Sequence, residues 1–273
     1  MARILRAFVE EPRPCSYLRD RRAALAHEII LDMTPAEWEA RLARGWRRFG
    51  PVYFRPACGG CQECVSIRIP TREFHPSRSQ RRARRDCAHL RVVIGPPQVT
   101  EDRIALYHAW HAFRETEREW EPSVLDVETY AAQFAFPHPC SREVAFYEDR
   151  PGWAPRLVGV GLCDETPSAW SAIFFFYHPD LAPLGLGTAN VVAQIEIARA
   201  RGIPHLYLGY RVEECRSLQY KSRFRPHELL AGRPSLEEPA RWIRPAVEPG
   251  SDSQSEPEPQ SEPESEPGPG TGR

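Results

Sequence analysis

The sequence predicts an α+β protein, and three observations carry that prediction. Residues 144–147, 156–164 and 168–177 are successive strand patterns, and the last holds the densest apolar run of the chain, AIFFFY, suited to the centre of a sheet. After a turn at His178-Pro179-Asp180, the glycine-rich LGLG leads into TANVVAQIEIARAR. Val191, Ile195 and Ala198 share one side of that helix until Gly202 and Pro204 stop it, and HLYLGY (205–210) closes a β-turn-α-β unit. Upstream, 101–119 places Ile104, Tyr107, Ala109, Trp110 and Phe113 near helical spacing and 126–134 reads as a shorter helix, both expected to cover the sheet.

The segment to residue 91 mixes turns, short strands and one well-signalled helix. Thr34-Pro35-Ala36-Glu37 is an N-cap with Pro at the first helical position and Glu at the third. Trp38, Leu42 and Trp46 follow at spacing four, so a helix is predicted over 35–44, ended by Gly45. GWRRFGPVYFRP then reads as a turn into a strand, 58–64 as a loop and VSIRIP (65–70) as a strand. SRSQRRARRDCAH (77–89) predicts a basic helix that lacks an apolar stripe and must lean on a partner. The expected organisation is an amino-terminal domain over 1–91, a second over 92–245, and a tail over 246–273.

That tail holds seven acids, one Arg, six prolines and no aromatic residue, too little apolar area to offset the entropy of ordering, and disorder is expected. The chain of 273 residues carries a net charge of −1, so without the tail the remainder is basic at +5. The length admits one large or two ordinary domains and rules out a small stapled scaffold. No apolar run spans a bilayer and the amino terminus lacks a signal-peptide core, so no membrane partner and a cytoplasmic location are expected. Of the eight cysteines, three form a tight C-x2-C-x2-C and four are scattered beyond it, which argues for reduced thiols.

Residues 41–91 carry 13 arginines against Glu63, Glu73 and Asp86, interleaved with Trp46, Tyr53, Phe54 and Phe74, a footprint suited to nucleic-acid phosphate. Among 36 basic residues 35 are Arg, and the one Lys, Lys221, lies in YKSRFRP beside Tyr220. Such an amine suits phosphate binding, carbonyl orientation or proton transfer. The Gly185-Leu186-Gly187 turn precedes a helix, so its amides can face an anion or a developing oxyanion. Cys58, Cys61 and Cys64 have spacing for one metal; with Cys15 as the remote fourth thiol, the set suits zinc or a cubane iron–sulfur cluster.

Read together, CSYL at 15–18, GWRRFGPVYFRPACGGCQEC, FHPSRSQRRARR, FYHPD, LGLGTANVVAQIEIARARGIPHLYLGY and QYKSRFRP resemble the bacterial aminoacyl-tRNA–protein transferases. Within them the likeness is to the aspartate/glutamate leucyltransferases, relatives of eukaryotic arginyltransferases. The resemblance implies an amino-terminal domain bearing the Cys and Arg motifs and a carboxy-terminal acetyltransferase-like (GNAT) domain. It implies transfer of leucine from Leu-tRNA to the α-amine of proteins beginning with Asp or Glu, a step of the N-degron route, with no cofactor needed for the transfer itself. Iron–sulfur binding is associated with the cysteines of the eukaryotic relatives, and the resemblance extends that expectation to Cys15, Cys58, Cys61 and Cys64.

An aminoacyl ester is already activated, so a neutral amine attacks it directly and positioning is most of the task. On that basis Tyr177, Gly185, Leu186, Gly187, Thr188, Asn190, Tyr207 and Gly209 are expected to line the aminoacyl-adenosine cleft, with Lys221, Tyr220 and Tyr210 acting on the reaction. Tyr17, Arg47 and Arg48 are expected to read the acidic acceptor, and Arg78, Arg81, Arg82, Arg84 and Arg85 to meet tRNA phosphates. Three departures from family patterns bear on the donor pocket: Ala182 where acetyltransferases place Arg or Gln, Ala189 in place of Tyr, and Leu218-Gln219 in place of a Met. The competing readings are an arginyl-tRNA–protein transferase, a CoA-dependent N-acetyltransferase, and a metal-stabilised RNA-binding module without catalysis.

Overall fold

The structure is a computed structural model that describes residues 2–118 and 125–246. The tail expected to be disordered lies, but for its first residue, outside the described residues. The chain begins with β1 (Arg3–Val9), the short pair β2 (Arg13–Pro14) and β3 (Arg22–Ala23), and β4 (Leu25–Leu31). Helix α1 (Pro35–Leu42) and strands β5 (Arg47–Phe49), β6 (Val52–Pro56) and β7 (Val65–Pro70) follow. Next come α2 (Arg78–Asp86), β8 (Leu90–Gly95), α3 (Glu101–Arg118) and α4 (Val127–Phe134). Strands β9 (Ser141–Glu148), β10 (Arg156–Glu165) and β11 (Ala169–Tyr177) lead to α5 (Leu186–Ala200) and β12 (His205–Arg211). The chain then runs through α6 (Arg216–Gln219), β13 (Glu228–Leu230) and β14 (Trp242–Ile243).

Local chemistry explains the well-signalled elements. At α1 the Thr34 hydroxyl accepts from the Glu37 amide while Glu37 accepts from the Thr34 amide, a complete capping box, and Trp38 and Leu42 are buried one turn apart. Helix α2 carries the same device at Ser77 and Gln80 and buries only Gln80 and Ala83, so it holds its place by lying on α5. Its arginines all remain exposed.

Strands β1-β4-β6-β5 make a small antiparallel sheet, and β14-β13-β7-β12-β11-β10-β9-β8 make a large one in which only β11 and β12 run parallel. The β-turn-α-β unit is present as β11-α5-β12. The boundary expected at residue 91 does not divide the molecule. Strand β7 sits inside the large sheet between β12 and β13, where it supplies the antiparallel partner that β12 otherwise lacks, and β8 pairs with β9.

Helices α2 and α5 cover one face of the large sheet, while α3, α4 and the small sheet cover the other. Phe49 of β5 packs on Phe134 and Phe174, joining the small sheet to that second face. No helix among the described residues is long and apolar enough to cross a membrane.

Candidate active site

The parallel pairing of β11 and β12 lasts only from Ala169 opposite His205 to Ser171 opposite Tyr207. Beyond it the strands part. Residues 172–175, part of the apolar run expected at the centre of the sheet, are therefore only half-buried. Helix α5 starts beside this opening. Gly185 caps it in the left-handed region (φ 70°) with no side-chain cap, which leaves first-turn amides for a ligand.

Three sequence-predicted elements meet there. A Cβ on Gly185 would lie 3.2 Å from the Cβ of Ala83, one of the two buried residues of α2, so the basic helix lies against the glycine turn. The Cys87 thiol at the end of α2 donates to the Leu184 carbonyl, and Gln80 Nε2 donates to the Arg223 carbonyl at 3.2 Å. Helix α2 thus bridges the glycine turn and the Tyr220–Arg223 turn. In that turn Lys221 is buried and donates from Nζ to the Tyr210 carbonyl at 3.0 Å. Tyr220 meets Phe224 edge-on, and Phe224 stacks on Phe74. Leu186, Thr188 and Asn190 are buried in the opening turns of α5, alongside Gly187.

The tyrosines expected in one cleft fall on two faces. Tyr177 stacks on Phe175 on the α5 side and accepts from Arg114 Nη2 at 3.2 Å. Leu206 and Leu208 also join the core on the α5 side, so Tyr207 points the other way, edge-on to Trp242, and accepts from Arg68. Gly209 (φ 77°) lies in an irregularity between Tyr207 and Tyr210 that returns Tyr210 to the Tyr207 side. There Tyr210 Oη donates to the Gly45 carbonyl at 2.7 Å.

Arg47 and Arg48 are not open to an acceptor. Arg47 is buried, donates to Ser66 Oγ at 3.1 Å and the Gly209 carbonyl at 2.9 Å, and lies over the rings of Tyr207 and Tyr210. Arg48 pairs with Asp164, itself fully buried, and donates to Ser141 Oγ at 2.7 Å and the Gly50 carbonyl at 3.0 Å. Both tie the small sheet to the large one. Tyr17 lines a pocket with Cys15, Cys58, Cys61, Cys64, Arg13, Arg22 and Tyr210. Burial, reinforced by the three neighbouring thiols, pushes the Cys64 thiol up to about 12. The donor set has the chemistry of a zinc or iron–sulfur site, but as placed it does not form one. Among the described residues no three His, Cys, Asp or Glu side chains converge as ligands.

Two family descriptions match the chain: "Arginine-tRNA-protein transferase, N terminus" over residues 13–82 and "Arginine-tRNA-protein transferase, C terminus" over residues 102–231. Curated relatives agree. The chain is 32% identical over 236 residues to the aspartate/glutamate leucyltransferase of Helicobacter hepaticus, covering 86% of this chain and 96% of that one. It is 36% identical over 221 residues to the enzyme of that name from Halorhodospira halophila, covering 80% and 91%. The chain belongs to the arginine-tRNA–protein transferase family. It is a transferase. Solved structures with a partial likeness include FemX (TM-score 0.42, 7% identity, 68% of this chain and 63% of that one). Another is the L-PGS of Bacillus licheniformis (TM-score 0.39, 11% identity, 64% and 49%). Likenesses this weak say nothing of the chemistry.

For this member of the arginine-tRNA–protein transferase family, reading motifs missed residues that the fold recruits. Arg114 reaches Tyr177 from α3; its position four residues after Trp110, on the buried stripe, was a usable signal. Arg233 donates to the Cys61 carbonyl at 2.7 Å and braces the cysteine loop from far along the chain, with no local signal at all. Trp170 and Gln194 are linked beneath α5, again without a sequence pattern to join them.

Proposed function

We propose that this chain moves leucine from Leu-tRNA to the α-amine of proteins beginning with Asp or Glu, in the cytoplasm, as a step toward their proteolysis through the N-degron route. The observation that carries it is α2 lying across both the glycine turn and the Lys221 turn. A helix with five exposed arginines borders an uncapped helix start and a buried ammonium. That is an arrangement for a polyanion whose end must be delivered to a small reaction centre. The parting of β11 and β12 serves as the acetyltransferase-like cleft for the aminoacyl-adenosine. Names of relatives supply the leucyl donor and the acidic acceptor.

In the reaction the neutral α-amine attacks the ester carbonyl, an amide bond forms, and the bond from the carbonyl carbon to the ribose oxygen breaks. The amine loses a proton and the ribose oxygen gains one. No protein nucleophile is required, because the ester is already activated. Amides at the start of α5 stabilise the developing oxyanion, while Lys221 and Tyr220 assist the proton transfer beside it.

A panel of charged tRNAs offered with peptides starting in Asp, Glu, Arg, Lys and Ala tests this. Leucine attached to the Asp and Glu peptides is expected. Arginine attached in its place would favour the other donor, which the matched family descriptions name. Transfer from labelled acetyl-CoA, or tRNA binding without any transfer, would overturn the reading. Lys221→Met, which keeps the buried stem without the charge, is expected to lower kcat about a hundredfold. Wild-type turnover in that variant would remove Lys221 from the chemistry.

A further inference from the structure

Three buried side chains form a one-way hydrogen-bond chain beneath α5. Trp170 Nε1 donates to Gln194 Oε1 at 2.9 Å, and Gln194 Nε2 donates to Asn190 Oδ1 at 3.0 Å. All three residues are at least 97% buried, with exposures of 0%, 1% and 3% in that order. The direction of the chain follows from chemistry. An indole N–H can only donate, so Gln194 must turn its oxygen to Trp170 and its nitrogen to Asn190. Asn190 must then turn its oxygen to Gln194, which aims its own amide nitrogen away from the chain. The recess exists because β10 has Gly161 there: a Cβ at that position would lie 2.8 Å from Asn190 Oδ1 and 3.2 Å from Gln194 Nε2. Phe175, half-buried where the strands part, adjoins the same recess.

We infer that Trp170 and Gln194 are positioning residues that hold the Asn190 carboxamide as a preset hydrogen-bond donor to the aminoacyl-adenosine end of the charged tRNA. The acceptors there are the ester carbonyl and ribose oxygens. The inference rests on the transfer reading above. A rotated carboxamide would set oxygen against oxygen, and an untethered one would lose orientation on binding, so the indole N–H acts on the substrate through two amides without touching it. No proton changes owner in this arrangement.

The experiment is a double-mutant cycle on the full chain, reading KM for charged tRNA and for the Asp peptide separately. Trp170→Phe keeps the ring and removes the N–H. It is expected to raise KM for charged tRNA about three- to tenfold, the worth of one hydrogen bond, and to leave the peptide KM unchanged. In an Asn190→Ala background the same change is expected to have no further effect. An equal loss in both backgrounds, or an unchanged KM in the single variant, would overturn the inference. A second readout needs no activity: the Gln194 side-chain amide protons should exchange slowly with solvent in the wild type and faster in Trp170→Phe. Equal exchange in both proteins would refute the chain. Absence of transfer by the wild type from every charged tRNA, with the exchange difference intact, would instead refute the functional reading and with it the role toward the donor.

Discussion

Arg48 shows how a residue type expected to read a carboxylate can be committed to another one. Its partner is Asp164 on β10, and neither side chain reaches solvent. Removing one member of a buried pair leaves the other charge stranded, so Arg48→Met is expected to cost about 3–5 kcal/mol. Denaturant unfolding measures this, and Arg48→Met with Asp164→Leu should recover most of the loss. What remains folded should keep its preference for Asp over Asn peptides. Unaltered stability with a lost preference would return Arg48 to the acceptor role. Tyr17 remains beside a cavity with Arg13 and Arg22 at its wall, residues that the motif reading did not single out.

At the level of elements, α2 was legible in sequence as a basic helix in need of support, and its capping box and Ala83 show where the support comes from. Arg81 and Arg78 project from it into solvent, and Arg84 also meets Glu196 of α5 at 3.2 Å. Substituting Arg78 and Arg81 by Gln should raise KM for charged tRNA without changing kcat. It should also reduce the slope of log KM against log salt by about 0.7–0.9 for each phosphate that is no longer neutralised. A fall in kcat with an unchanged salt slope would place these arginines in the reaction centre. Strands β1 and β4 left less trace: β1 is exposed along its whole length, so no alternation of buried and exposed positions marks it.

For the whole molecule, the join between the small and large sheets carries a pH dependence. His138 lies there near Tyr53, and its Nδ1 accepts from the Cys140 amide. Burial, with the Arg48 charge added, lowers its pKa from 6.5 to about 4. The unfolded chain therefore binds a proton below pH 6.5 that the folded chain refuses until about pH 4. Its contribution to stability is present above pH 6.5 and is lost as pH falls through that window. Burial lowers His205 and His227 in the same direction. Thermal midpoints taken from about pH 7.5, above the window, down to about pH 4.5, just inside its acid end, should fall with acid. They should fall less in His138→Gln, and identical profiles would exclude this histidine as a source.

The sequence by itself determined the elements whose signals are local: the Thr34 cap, the α5 stop at Gly202, the alternation in β7, and the ordered motifs that mark the family. Those depend on neighbours two to four residues apart. Tertiary structure alone decided partners and faces. It put β7 between strands more than 130 residues downstream, sent Tyr207 and Leu206 to opposite sides, turned Tyr210 through the irregularity at Gly209, and buried Arg47 and Arg48 between two sheets. The physical reason is that strand pairing and burial are settled by groups distant in the chain, and a period of two or of 3.6 says which residues share a face without saying what that face will meet.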